Sequence, residues 1–306
     1  MAHRGARSYD GEVMCAQSNL ANPPTHSAPA LLGDGRIVQD GIASVFDRAA
    51  GYYRGMRWEK NRVTLLEKLM TREVLSDELG GDPVGSALEI GCGPGTWTPL
   101  LAARAERVLA LDLSERMLEQ ARSAVEEPNV TFLQGDAARF QPDTAFDLVM
   151  SVRVLEYVPE WRSIVHRLET LLAPGGRAII VTKTPVSAWR GTGRERWFGP
   201  HTMARRLRGE KLDPEFWQSY LPVRKLCRAF ADAGLVDVRV RPVIFGLPIY
   251  VHGNKQYPIV PRIAEPAALR STESAWRWVS RRGERLRRAS LIFAESYAVS
   301  GRRPTE

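Results

Sequence analysis

Three glycines within five residues, Gly91, Gly93 and Gly95, follow an apolar run that carries one acid, Ala87-Leu88-Glu89-Ile90. Glycines at the carboxyl end of a strand allow a tight turn. They also let backbone N–H groups approach a ligand held against the amino end of the next helix, so an anionic group such as a carboxylate fits there. The spacing is G-x-G-x-G. A dinucleotide fingerprint would need a third glycine where Thr96 stands, which disfavours nicotinamide or flavin chemistry. About twenty residues beyond Gly91 a second apolar run, Val108 to Leu111, ends in Asp112, the position from which a carboxylate accepts from both hydroxyls of a ribose. A third run ends at Gly135-Asp136-Ala137 and a fourth at Ser151. Three of these four runs end in an acid or a glycine, and it is the four together, in this order and spacing, that make the signal specific.

The elements that must hold these residues are legible as alternating textures. Short apolar runs over 86–91, 107–112, 129–134, 145–151 and 176–183 predict strands. Helical spacing over 96–104, 114–126 and 160–172 predicts the crossovers between them, with Ser114 as an N-cap. A helix over 222–233 and strands over 236–245 and 290–299 complete the pattern. The predicted fold class is α/β, a doubly wound, Rossmann-like seven-stranded sheet, mostly parallel with the last strand antiparallel, carrying helical lid insertions. Residues 1–36, rich in Ala, Pro, Gly and Ser, read as a disordered tail. Residues 37–306 read as one domain, with a helical cap over 37–80, the core over 85–183, and acceptor-side lid segments over 184–222 and 246–288.

The stretch Glu89 to Gly95 resembles the first motif of the class I S-adenosylmethionine-dependent methyltransferases, small-molecule type, and the resemblance continues through Asp112, Asp136-Ala137 and Phe146 to Val158. It implies S-adenosyl-L-methionine as cofactor. In that family the glycine loop, here Glu89, Gly91, Cys92, Gly93 and Gly95, holds the methionine portion, and Asp112 takes the ribose, with Leu113 and Met117 beside it. Asp136 and the Ala137 N–H take the adenine. Ser151 and Arg153 fall nearest the methyl group, and Tyr53, with Tyr52 and Trp58, offers an aromatic ring to the sulfonium. Glu156 and Tyr157 follow on the segment that lines the family's pocket. The catalytic candidates are therefore Arg153, Glu156, Tyr157 and His201, the last a possible general base by its pKa range, as is His252. Cys92 also reads as a small-residue filler of the loop, and His166 as a packed or solvated helix residue.

Charge narrows the acceptor. The chain carries a formal net charge of +8. Residues 190–211 hold seven cations against two acids, and 262–288 hold eight against three, interleaved with Trp189, Trp197, Trp276 and Trp278. Falling in the lid segments, this predicts an acceptor that is partly hydrophobic and anionic. An amphipathic face of Ala275, Trp276, Val279 and Leu286 is a weaker pointer to a membrane surface. Nucleic acid is disfavoured: the position after the fourth strand reads Ser151-Val152-Arg153-Val154 rather than Asn/Asp-Pro-Pro-aromatic, and no cysteine has the Pro-Cys context of a cytosine nucleophile. An RNA methyltransferase, and a methyltransferase-like protein that binds the cofactor without transferring methyl, stand as alternatives. The three cysteines show no metal or disulfide spacing, no apolar run approaches a membrane span, and no apolar h-region follows the N-terminal arginines. The expectation is thus a metal-independent cytoplasmic enzyme of small-molecule biosynthesis, its oligomeric state open.

Overall fold

A computed structural model of the chain describes residues 35–59, 62–185, 220–245, 250–251, 257–258 and 265–306. Most of the predicted lid segment 184–222 and part of 246–288 lie outside them, and with them His201, His252 and every cation of 190–211.

Seven strands form one sheet: β1 (Val84–Ile90), β2 (Ala105–Asp112), β3 (Val130–Gln134), β4 (Phe146–Val152), β5 (Leu172–Lys183), β6 (Val236–Phe245) and β7 (Ala294–Arg302). Their spatial order is β3-β2-β1-β4-β5-β7-β6. The first five are parallel, and β7 runs antiparallel between β5 and β6. The expected strand set and the antiparallel last strand are what the structure shows. Boundaries moved most at the end: the final strand begins at Ala294 rather than Ser290, because Glu284–Ser290 and Leu291–Phe293 are helical.

Continuous apolar runs form these strands because both sheet faces are covered. Ala87, Leu88 and Ile90 of β1 and Leu148, Val149 and Met150 of β4 are all buried. One face packs against α2 (Arg62–Leu79) and α3 (Thr98–Ala102) through Met70, Val74, Leu101 and Ile179. The other packs against α5 (Trp161–His166), α6 (Leu168–Leu171) and α7 (Val223–Asp232) through Ile164, Leu168, Leu226 and Phe230. Chain order reverses between β1 and β4, and at such a switch point the carboxyl ends of the strands open a crevice for ligand.

The two predicted N-terminal helices are α1 (Gly35–Arg54), continued by a π-helical turn to Glu59, and α2. Asp47 of α1 accepts a hydrogen bond from the Ser114 hydroxyl at 2.5 Å, and Arg54 donates to the Pro94 carbonyl at 2.5 Å. These two contacts tie the cap across the mouth of the crevice. Ser114 also accepts from the Met117 N–H at 3.1 Å, as its N-cap role on α4 (Glu115–Ala124) requires.

The second basic segment lies elsewhere than expected. Helices α8 (Glu265–Ser280) and α9 (Glu284–Ser290) pack on α2 and β6, and no residue of theirs lines the crevice. Trp276 and Val279 are buried in the core beside Met70 and Val243. Half of the apolar face read as a membrane pointer is therefore used inside the protein, while Ala275 and Leu286 are exposed. Among the described residues no helix is long and apolar enough to cross a membrane.

Candidate active site

At the crevice the backbone does most of the positioning. Beyond β1 the Gly91 and Cys92 N–H groups both donate to the Leu111 carbonyl, at 2.7 and 3.1 Å, pinning the glycine loop to the end of β2. The glycines serve two purposes. Gly91 (φ +71°) lies so close to Val154 that a Cβ would meet Cγ2 at 2.2 Å, and a Cβ on Gly95 would meet Val125 at 2.6 Å. Gly93 (φ +53°) has nothing within 4 Å of where its Cβ would be, and it lines the crevice. The first and last glycines permit packing, and the middle one keeps ligand space open.

Asp112 ends β2 at the crevice wall. Its Oδ2 accepts from the Gly93 N–H at 2.7 Å and its Oδ1 from the Ser114 N–H at 2.9 Å. Burial raises its pKa, against the pull of those N–H groups. A carboxylate has about four acceptor positions, so with backbone N–H groups of Gly93, Leu113 and Ser114 drawn to it, capacity remains for a ligand hydroxyl. The Gly135 N–H donates to the Asp112 carbonyl at 2.9 Å, which brings the third strand's turn alongside. Asp136 closes that turn: its Oδ1 accepts from the Ala138 N–H at 2.8 Å. Gly135, Asp136 and Ala137 all line the crevice, as do Leu113 and Met117.

Gly95 is absent from the crevice lining, and two more of the named residues stand behind the wall. Glu89 is buried, accepts from the Thr98 hydroxyl at 2.6 Å, and is pushed up to about 8 chiefly by burial. The Ser151 hydroxyl is buried and donates to the Ile90 carbonyl at 3.1 Å, clasping β4 to β1. Neither lines the crevice, whereas the neighbour two residues beyond Ser151 does. Cys92 lines the crevice with its thiol pushed well up by burial and by Glu89 and Asp112, which keeps it neutral.

That neighbour, Arg153, is the least ordinary residue of the site. It follows β4 directly with φ +65°, a left-handed conformation rare for a side chain of its size, held by its N–H bonding to the Val181 carbonyl at 2.8 Å. Its guanidinium is 4% exposed and Nε pairs with Glu156 at 2.5 Å. Glu156, wholly buried, accepts from the Thr182 hydroxyl at 2.8 Å through its other oxygen. Burial, the largest single effect, works against the guanidinium charge, but Glu156, Tyr157 and Glu295 together outweigh it and the pKa is raised. Arg153 lines the crevice, and its buried Nη1 has no hydrogen-bond partner. Glu156 itself does not reach the crevice; it positions Arg153.

Opposite stands an aromatic wall. Phe46 meets Tyr53 edge-on at 5.9 Å and Tyr157 at 5.2 Å, and all three line the crevice. Burial raises both tyrosine pKa values, so both phenols are neutral near pH 7. Trp58 and Trp97, edge to face at 5.0 Å, complete it. Tyr52, also named from sequence, is 56% exposed and outside the crevice. His166 is exposed at the end of α5. Sequence reasoning missed Trp97 and Lys183. Trp97 had a usable signal, an aromatic directly after the glycine loop; Lys183 had none, because only tertiary packing places it. Its ammonium sits 5.7 Å from the Tyr220 ring, lowered to about 7 first by burial and then by Arg153. Among the described residues no three His, Cys, Asp or Glu side chains gather as a metal site.

The sheet order, the crevice at the switch point and its glycine-and-aspartate rim are similar to those of class I S-adenosylmethionine-dependent methyltransferase domains. Residues 87–176 match the family model described as "Methyltransferase domain". The chain is 44% identical over 92 residues to trans-aconitate 2-methyltransferase of Methylobacterium radiotolerans, which covers 29% of this chain and 35% of that protein. It is 29% identical over 117 residues to nodulation protein S of Rhizobium tropici, covering 37% and 49%. The chain thus spans only about a third to a half of these relatives' lengths. The fold extends further. The N-methyltransferase NodS of Bradyrhizobium japonicum, in complex with S-adenosyl-L-homocysteine, superposes with TM-score 0.54 at 16% identity over 87% of this chain and all of that one. A DhpI–SAH complex superposes with TM-score 0.54 at 18% identity over 88% and 98%.

The described residues fit that cofactor on their own geometry. Gly93 leaves a space that any side chain would fill, Asp112 keeps acceptor positions free beside it, and the Gly135–Ala137 turn offers polar backbone next to both.

Proposed function

We propose that this chain transfers a methyl group from S-adenosylmethionine to a small-molecule acceptor that carries an anionic group, carboxylate or phosphate. When bound, the cofactor supplies a methyl on a positively charged sulfur, open to in-line attack. The chain's own residues supply alignment and dryness. The glycine loop and Asp112 fix one half of the crevice, and Asp136 with Ala137 the other. Phe46, Tyr53, Tyr157, Trp58 and Trp97 present ring faces and edges that exclude water and favour a cationic centre. Arg153 orients the acceptor.

The observation that carries the anionic acceptor is the orphaned Arg153 Nη1 at the crevice wall. A buried N–H left without a partner costs about 1–3 kcal/mol, more on a charged group, and an acceptor oxygen removes that cost. Arginine suits the task through its fixed, planar fork. The relative's name, trans-aconitate 2-methyltransferase, supports an acid as acceptor class.

The test is calorimetric titration with S-adenosylhomocysteine, then labelled-methyl transfer to paired acceptors that differ only in carboxylate against carboxamide. The expected result is homocysteine-derivative binding by wild type and by Arg153→Met alike, with transfer confined to the anionic member and lost in Arg153→Met. No binding by wild type would sink the cofactor half; equal transfer to both members would sink the acceptor half.

A further inference from the structure

The largest unexplained group of charges lies at the opposite end of the sheet, where β5 and β6 begin and β7 ends. A polar cavity of about 350 Å³ opens there between the carboxyl end of α2, α9 and the three strands. Five arginines line it: Arg177, Arg239, Arg241, Arg287 and Arg302. Arg241 is satisfied by Asp77 at 2.9 Å and Glu78 at 3.3 Å, and Glu284 on the rim is taken by Arg288 at 2.7 Å. Arg177 donates to the Glu78 carbonyl and also feels the Glu78 carboxylate, which leaves Asp237, of the acids lining the cavity, to face Arg239, Arg287 and Arg302.

The strand register makes this costly. Arg177 and Arg302 are direct partners across the antiparallel β5–β7 pair, and like charges placed opposite each other destabilise a sheet. The β6–β7 register slips between Val236 and Arg239, with Asp237 at φ +53°, and this irregularity brings Arg239 to the same cavity. Burial, then Arg302 and Arg239, lower the Arg177 pKa against the partial opposition of Glu78 and Asp82. The buried Nε of Arg287 has no hydrogen-bond partner. Apposed cations, a bulge that adds another and an unsatisfied donor converge on a space of ligand size.

We infer that this cavity binds a compact multivalent oxyanion, a phosphate ester or a di- or tricarboxylate, independently of the cofactor crevice. Arginine forks pair with either chemistry, and a bound anion would relieve the repulsion between Arg177 and Arg302.

The test uses the full chain saturated with S-adenosylhomocysteine at low ionic strength, titrated separately with pyrophosphate and with citrate. Single-site binding of either anion is expected, accompanied by a rise in Tm. Tighter pyrophosphate identifies a phosphorylated ligand and tighter citrate a polycarboxylate. Arg302→Gln and Arg239→Gln should each weaken binding at least tenfold, and without anion Arg302→Gln should melt no lower than wild type. Arg153→Met and Arg285→Gln, outside this cavity, should bind as wild type does. The inference is overturned if neither anion binds. It is equally overturned if binding weakens as much in Arg285→Gln, which marks diffuse attraction, or requires Arg153, which marks the cofactor crevice.

Discussion

Removing Glu156 while leaving Arg153 should unfold the protein more readily than removing both. Glu156 is fully buried and Arg153 nearly so, and their contact is 2.5 Å. Glu156→Leu strands a cation in the interior, and breaking a buried pair from one side costs about 3–5 kcal/mol. In a domain of this size each kcal/mol moves Tm by about 2–4 °C, so the expected fall is roughly 6–20 °C. The double variant Arg153→Met/Glu156→Leu removes the stranded charge, and replacing a buried pair by apolar groups is often neutral. Thr182 then lacks its acceptor, a loss of about 1–3 kcal/mol that Thr182→Val should recover. The assay is thermal and urea unfolding of wild type, single, double and triple variants. Expected is a coupling energy of about 3 kcal/mol, with the triple variant within about 1–2 kcal/mol of wild type. The triple variant should bind S-adenosylhomocysteine yet fail to methylate the anionic acceptor. A triple variant as unstable as Glu156→Leu, or a Glu156→Leu within 1 kcal/mol of wild type, would refute the claim that the pair serves Arg153's position rather than the fold.

Three more outcomes follow from the crevice. Asp112→Ala should lose S-adenosylhomocysteine affinity by about 10²–10⁴-fold, the value of two charge-assisted hydrogen bonds, while Asp112→Asn, which keeps one acceptor oxygen, should lose less. Calorimetry reads both. Gly91→Ala should fold poorly because its Cβ meets Val154, whereas Gly93→Ala should lose only about 1–2 kcal/mol from its left-handed backbone yet bind the same ligand much more weakly, its Cβ entering open crevice space. Unfolding curves beside titrations separate the two. Glu89 carries a pKa raised from 4.5 to about 8. The folded state therefore holds its proton where the unfolded state has lost it, and stability falls as pH rises from about 4.5 through about 8. The gap amounts to on the order of 3–5 kcal/mol. Glu89→Gln, still able to accept from Thr98, should flatten that decline in the ligand-free protein; an unchanged pH profile would mean that Glu89 is not the group responsible.

Much of the sheet could be read from sequence because each strand there is an uninterrupted apolar run bounded by a charge or a glycine, and parallel order follows from the helical stretches between runs. Asp112, Asp136 and the glycine loop were legible for a related reason: they are local, each fixed to a strand end by the residues beside it. Where the Ser151 side chain falls was not legible, because a side chain near the end of a strand can point to either face. Only the register with β1, which directs its hydroxyl to the Ile90 carbonyl, decides the matter. The Glu156–Thr182 contact joins residues on different elements and leaves no periodic trace. The basic character of 262–288 was visible, but its destination was not. Arginine on a helix reads alike whether the helix covers an active site or, as here, rests on α2 and β6.

The structure's departures from local preference fall at the two ends of its strands. At the carboxyl ends Arg153 combines a left-handed backbone with a buried charge, and Glu89 sits uncharged beneath the glycine loop. At the amino ends Arg177 faces Arg302. Each arrangement costs stability that a simpler residue would retain, and none is needed to build the sheet, whose apolar runs continue on either side. Such exceptions persist where a ligand recovers the loss. The cofactor crevice accounts for the first pair by position, since both surround the loop at the switch point. Arg177 and Arg302 lie too far along the strands to serve that crevice, so their juxtaposition requires a ligand of its own, and the opposed arginines specify its charge.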